Sequence, residues 1–149
     1  MIYRLKLKDS ISFYDFVLRC KDSFEDFYIT QNKERKFIKD LKLIEKLLRY
    51  QEVYALEDKE IKGILLIVKE KGFRPYLKIL AIDSKIEWNL LRFFSWNFTQ
   101  EIYIKLKVKN PLIRSLQKHG FQNKGFRGSE ILLYRPKQDK REIKIQEIK

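Results

Sequence analysis

The sequence predicts a mixed α/β (α+β) domain over residues 1–136, with about six strands in one central sheet, four flanking helices, and a basic tail over 137–149. Three observations predict it. An alternating run opens the chain, two stretches with helical spacing follow, and then three consecutive apolar runs are separated by tight turns. The 149 residues suit one domain, and 44% hydrophobic with 14% aromatic content supplies a core, which excludes global disorder.

Residues 2–7 alternate, with Ile2, Leu5 and Leu7 apolar, and read as a first strand; Asp9 and Ser10 then offer a helix N-cap. From Ser12 to Tyr28 the apolar positions Phe13, Phe16, Val17, Cys20, Phe24 and Phe27 line one face of a helix. Thr30-Gln31-Asn32-Lys33 breaks it. A second helix is expected over Glu34–Tyr50, burying Phe37, Ile38, Leu41, Ile44, Leu47 and Leu48. Val53–Glu57 and Ile61–Lys69 read as a hairpin turned at Asp58-Lys59-Glu60, and Tyr76–Asp83 as the next apolar strand. Ile86–Phe98 is a third helix, unusually aromatic, with Phe93 and Phe94 as core residues. Trp88 and Trp96 lie two turns apart and extend the apolar surface toward a partner or stack on a base. Glu101–Lys107 alternates as a strand. Asn110-Pro111 opens a fourth helix that Gly120 closes, and Glu130–Tyr134 is the last strand. The tail carries Ile143, Ile145 and Ile148 and suits disorder, an edge strand or a helix on a partner.

Several chemistries are excluded by counting. One cysteine, Cys20, leaves no internal disulfide and no cysteine-based zinc site, and it reads as a small buried apolar residue. One histidine, His119, makes a histidine metal site improbable, and its place before Gly120 suits a helix C-terminus. With no run near the ~20 apolar residues of a membrane span and no signal-peptide pattern, a cytoplasmic location is expected. The net charge of +13 attracts polyanions such as nucleic acid. Lys105, Lys107 and Lys109 share a strand face and, with Arg114 and Lys118, are expected to form a basic patch for phosphate or nucleic acid. The same Lys, Ile, Phe, Tyr and Asn richness also arises from an AT-rich genome, so charge alone assigns no partner.

The element order β-α-α-β-β-β-α-β-α-β and the run Asn110-Pro111-Leu112 to His119-Gly120-Phe121, followed by Gly125-Phe126 to Tyr134, resemble the GNAT acetyltransferase superfamily over residues 2–135. The resemblance implies a central sheet whose fourth and fifth strands splay around the pantetheine arm of acetyl-CoA. It implies cofactor contacts at Ile82, Ser84, Lys85, Asn110 and Lys118, and an amine acceptor. Two departures are visible. The family's glycine-rich turn before the third helix, whose N–H groups reach a diphosphate, is here Ile82-Asp83-Ser84-Lys85-Ile86-Glu87, without glycine and with two acids. The tyrosine that protonates the leaving thiolate aligns with Leu116, which holds no proton. Tyr134 or Tyr103 is left to replace it, and Glu57 or Glu101 to act as base. The readings that follow are a divergent acyltransferase acting on an amine, an inactive GNAT-fold module that binds a partner, and a basic nucleic-acid-binding protein.

Overall fold

The three apolar runs at the centre of the chain form the middle of a seven-stranded sheet. A computed structural model describes residues 1–20, 27–31 and 33–139. In chain order the elements are β1 (Ile2–Arg4), α1 (Ser10–Arg19), β2 (Tyr28–Gln31), β3 (Glu34–Phe37), α2 (Leu41–Tyr50), β4 (Glu52–Asp58) and β5 (Glu60–Val68). They continue with β6 (Tyr76–Ala81), α3 (Ser84–Asn97), β7 (Ile102–Lys107), α4 (Leu112–Lys118), β8 (Gln122–Arg127) and β9 (Glu130–Arg135). The sheet order is β1-β4-β5-β6-β7-β9-β8, and β2–β3 is a separate hairpin. Every pairing in the large sheet is antiparallel except β6 with β7.

The two faces of the sheet bury two cores. On one, Phe13, Phe16 and Val17 of α1 and Ile44 and Leu47 of α2 pack on Val53, Ala55, Ile64, Leu66 and Leu80. On the other, Leu90, Leu91 and Phe94 of α3 and Leu112 and Leu116 of α4 pack on Leu65, Ile67, Leu77, Ile102, Ile104 and Leu106. β5 is covered on both faces, which is why its sequence is apolar at successive positions and does not alternate. α3 approaches β5 at Gly63, where a Cβ would lie 2.6 Å from Ile86 Cγ2 and 2.8 Å from Leu90 Cδ1. No helix among the described residues is long and apolar enough to cross a membrane.

The mixed sheet and the four helices are as the sequence predicts, with one strand more in the sheet. Several boundaries differ. The first strand, expected over residues 2–7, ends at Arg4, and Leu7 opens a short 3-10 turn. The first helix ends at Arg19, and Tyr28, placed at its end by periodicity, begins a strand. Phe24 lies outside the described residues. The expected second helix is two elements, β3 and then α2, whose start is fixed by the Asp40 carboxylate accepting the Leu43 N–H at 2.9 Å. Phe27, Tyr28 and Ile29 are buried in succession, and Lys33 turns the hairpin at φ 66°. β8 was not expected at all. It is an edge strand exposed along its whole length and bulged at Gly125 (φ 135°), so it has no buried face to leave an alternating signature. Asp9 stands before α1, but its carboxylate accepts from the Lys6 N–H (2.8 Å) and makes no cap bond to the helix. The tail expected from residue 137 is described as far as Asp139, with the Gln138 N–H donating to the Thr99 carbonyl (2.6 Å); residues 140–149 lie outside the described residues.

Candidate functional site

β6 and β7 share one register position, Tyr76 with Tyr103, reinforced by the Tyr103 N–H on the Pro75 carbonyl at 3.0 Å. Each shares six positions with its other neighbour, β5 or β9. The two parallel strands therefore part in the middle of the sheet and leave a slot that opens toward their C-terminal ends. α3 follows β6 and α4 follows β7, so both helices begin at the open end, the place where parallel α/β sheets hold ligands.

Residues 76, 78 and 80 of β6 face the α1–α2 side of the sheet, as do Lys105 and Lys107 of β7 and Glu130 of β9; their neighbours in sequence lie in the other core. Lys78 is 3% exposed, and its Nζ crosses the slot to the Lys105 carbonyl at 3.4 Å while lying 3.9 Å from the centre of the Tyr28 ring. The Tyr28 hydroxyl donates to Glu130 (3.2 Å), which also pairs with Arg35. Burial opposes ionisation of Glu130, but the Arg35 hydrogen bond and charge, with Tyr28 and Lys105, outweigh it and hold the carboxyl below its ordinary range. The β2–β3 hairpin is thus tied over the slot by Tyr28 and Arg35, and by the Thr30 N–H on the Tyr76 hydroxyl (3.4 Å). Burial pushes the Tyr76 phenol up to about 12.

Of the residues expected at the cofactor, Ile82, Ser84 and Lys85 stand at the open end of the slot, on the turn and first residues of α3. That turn is closed by the chain's own carboxylate: Asp83 Oδ1 accepts the Ile86 N–H at 2.9 Å and its carbonyl accepts the Glu87 N–H at 3.1 Å. Burial, then the Asp83 charge, raises the Glu87 carboxyl. This start of α3 does not fit a diphosphate bound through backbone N–H groups, and any phosphate contact there falls to the side chains of Ser84 and Lys85. Ile82 and Lys85 also line a groove on the opposite side of α3 from β7. Asn110 starts α4, its side chain accepting the Leu112 N–H at 2.9 Å, whereas Lys118 is at the far end of that helix.

The candidate proton carriers scatter. Leu116 is fully buried in the α3–α4 core. Glu57 lies on β4, beyond β5 and β6 from the slot, and accepts from Tyr3. Glu101 stands at the closed end and accepts from Tyr134 (3.0 Å), whose ring is tilted against that of Tyr103 at 4.7 Å between centres. His119 Nδ1–H donates to the Ser115 carbonyl at 2.8 Å, a helix-terminal role. Cys20 is buried, and burial raises its thiol against the opposing charge of Arg19. The expected basic patch is divided by the sheet, with Lys105 and Lys107 on the α1–α2 side while Arg114 and Lys118 ride on α4 on the other. The sequence reading missed Tyr28, Arg35, Lys78 and Glu130. Lys78 carried a signal, a single charge inside the apolar run Tyr76–Ala81; Tyr28 and Arg35 were masked by the helical assignment of their segments.

No family model matches the chain, and no curated protein matches it in sequence. Solved structures do. An N-acetyltransferase from Staphylococcus aureus Mu50 is 14% identical, with 91% of this chain and 96% of that one covered at a TM-score of 0.68. Mutant forms of the spermidine/spermine N-acetyltransferase of Vibrio cholerae are 15% identical, covering 99% and 97% at 0.66. A GNAT-family acetyltransferase from Bacillus cereus ATCC 10987 is 18% identical, covering 93% and 98% at 0.63.

Proposed function

We propose that this chain, which has the fold of the GNAT N-acetyltransferases, is a divergent acyltransferase that takes an acyl-CoA into the slot between β6 and β7 and transfers the acyl group to an amine. The observation that carries the reading is the early parting of these two strands. Backbone N–H and C=O groups left without a ladder in the middle of a sheet cost on the order of 1–3 kcal/mol each, so an opening there is retained against that penalty. An extended ligand arm that hydrogen-bonds to the strand edges offsets it, as an added strand would.

Ser84 and Lys85 would hold the phosphates of the donor, Asn110 would fix the start of α4 beside its arm, and Lys118 would act only on a portion reaching along α4. When bound, acetyl-CoA supplies the activated acyl thioester. Lys78, reaching to β7, sets the depth of the slot, and the hairpin carrying Tyr28 and Arg35 excludes water from its α1–α2 side. Glu130 stays ionised between Arg35 and Tyr28, which suits it to hold the hairpin in place and not to donate a proton.

Acetyl-CoA at about a hundredfold above its dissociation constant stabilises the folded chain by about 2.7 kcal/mol, or roughly 5–10 °C in Tm. Asp83→Gly removes the competing carboxylate and strengthens that shift. Thiol release with a panel of amines then reads transfer. An unmoved Tm at millimolar acetyl-CoA in both proteins overturns the reading. A second reading, a GNAT-fold module that binds without catalysing, is supported by the Asp83 cap and the buried Leu116. A thermal shift without thiol release for any amine selects it.

A further inference from the structure

α1 and α2 pack on β4, β5 and β6, and among the described residues none of β7, β8 or β9 enters that core. Three strands therefore keep one face without a helix over it. Alternation turns Tyr103, Lys105 and Lys107 of β7 and Leu132 and Tyr134 of β9 to this face, because Ile102, Ile104, Leu106, Ile131 and Leu133 fill the α3–α4 core. All five are half-buried, beside the exposed Lys124 and Arg127 of β8. Gly125, paired with Leu132, adds no side chain to the middle of the face.

The face is aromatic and cationic. Tyr103 and Tyr134 are register partners with ring centres 4.7 Å apart. The Arg74 guanidinium lies 5.0 Å from the centre of the first ring, and the Lys124 ammonium lies 5.1 Å from that of the second. The row Arg74–Tyr103–Tyr134–Lys124 crosses β7, β9 and β8. Lys105 and Lys107 continue the positive charge along β7, and Arg127, opposite Glu130, continues it on β8. The acids here are Glu101 and Glu130, and both are engaged. Glu101 accepts from the Tyr134 hydroxyl at 3.0 Å, and Glu130 accepts from Tyr28 and pairs with Arg35 of the hairpin. Cations outnumber acids, so a polyanion is the complementary partner.

The shape of the face selects among polyanions. An anionic bilayer holds a protein best through apolar side chains that enter it, and Leu132 is half-buried between Lys105 and Gly125. A duplex shows the edges of its bases in its grooves and keeps their faces stacked. A single strand offers phosphates to the lysines and arginines and open base faces to the tyrosine row.

We propose that single-stranded nucleic acid binds across β7, β9 and β8, with its phosphates on Lys105, Lys107, Lys124 and Arg127 and its bases against the Arg74–Tyr103–Tyr134 row. The site uses none of Ser84, Lys85, Asn110 and Lys118. It is independent of the acyltransferase reading and is tested without donor or acceptor.

Fluorescence anisotropy of the full chain with labelled single-stranded RNA and DNA of about 20 nucleotides reads the binding. Affinity is expected to fall about fifty- to a hundredfold between about 0.05 and 0.2 M salt, the slope of four to five phosphate contacts on a single strand. Two double variants of equal net charge separate this site from the +13 of the chain as a whole. Lys124→Glu with Arg127→Glu reverses two exposed cations of the face; Lys42→Glu with Arg49→Glu reverses two exposed cations of α2. The first pair weakens binding at least tenfold more than the second. Tyr134→Ala weakens binding about fivefold or more, the loss of one stacked base, while Tyr134→Phe keeps the ring and binds within about twofold of the wild type. Circular dichroism and Tm report folding, and the two charge variants decide the matter alone where Tyr134→Ala does not fold. Equal losses in the two charge variants overturn the proposal, since diffuse charge then explains the binding. So does a folded Tyr134→Ala protein that binds as the wild type does, and so does no binding to either single strand up to about 100 μM protein at the lowest salt, where even non-specific binding is measurable. A duplex of the same sequence, or vesicles of phosphatidylcholine with phosphatidylserine, bound as tightly as the single strand also overturns it.

Discussion

Gly63→Ala tests how α3 is placed. The added methyl would meet Ile86 Cγ2 at 2.6 Å and Leu90 Cδ1 at 2.8 Å, with Ala81 Cβ at 3.4 Å in ordinary contact. Carbon atoms pack at about 3.5–4.0 Å, so two contacts are short by roughly 0.7–1.4 Å. Both offending atoms end flexible side chains, yet Leu90 is fully buried and Ile86 lies on the first turn of α3, so neither moves without disturbing the other. Two off-rotamer side chains or a small lift of the helix cost about 1–3 kcal/mol. The lost flexibility of glycine in the unfolded chain returns about 0.4–1 kcal/mol. The net is a loss of about 1–2 kcal/mol, or roughly 2–8 °C in Tm for a chain of this size. Urea unfolding with an unchanged m-value measures it, and Ile86→Ala, which removes Cγ2, costs less in the Gly63→Ala protein than in the wild type. Because the helix start carries Asp83 and Lys85, the same substitution loosens whatever binds at the open end of the slot. A Gly63→Ala protein as stable as the wild type, or more so, refutes the close approach of α3 to β5.

Arg135 is 1% exposed, lies 4.4 Å over the Phe94 ring and donates to the carbonyls of Phe98 (2.7 Å) and Gln100 (3.1 Å); Arg135→Met keeps the stem packing, strands both carbonyls and lowers stability by about 1–3 kcal/mol in chemical denaturation. Glu130→Gln removes the charge that pairs with Arg35. Since the folded-state value of Glu130 is depressed, its contribution is present above the ordinary carboxylate range and lost as pH falls through the folded value, so the variant flattens the acid limb of Tm against pH. At high pH, Tyr54 and Tyr76 are both pushed up to about 12, by burial first and in Tyr54 also by Glu52, so their contribution is complete below pH 10 and lost between pH 10 and 12. Arg135, pulled down by burial to about 10, acts in the opposite sense over the same range, so the alkaline loss is steeper in Arg135→Met than in the wild type; a shallower loss contradicts the burial of its charge.

Legibility from sequence followed burial. Where an element buries one continuous stripe, as α1 does with Phe13, Phe16 and Val17, or alternates, as β7 does with Ile102, Ile104 and Leu106, its type was readable. The segment 27–38 was not, because Phe27, Phe37 and Ile38 fit a helical stripe as well as they fit a hairpin packed on a sheet. β8 was silent because it buries nothing. At the slot, the missing glycines before α3 and the leucine at 116 were visible as residue types, and the structure shows what replaces them, an Asp83 cap and a core side chain.

The sequence by itself determined the order of β1, α1, α2, β4 to β7, α3, α4 and β9 and the helix punctuation at Asn110 and Gly120, since these depend on local dihedral preferences and on hydrophobic spacing along the chain. Tertiary structure alone decided that β6 and β7 part after one shared position, that the sheet separates Lys105 and Lys107 from Arg114 and Lys118, and that Tyr28, Arg35, Lys78 and Glu130 meet above the slot. Those facts join residues up to 102 positions apart, as Tyr28 and Glu130 are. No local propensity encodes such a meeting; it is fixed only when strands distant in sequence are packed side by side, because facing and distance across a sheet are properties of pairing and not of any one strand.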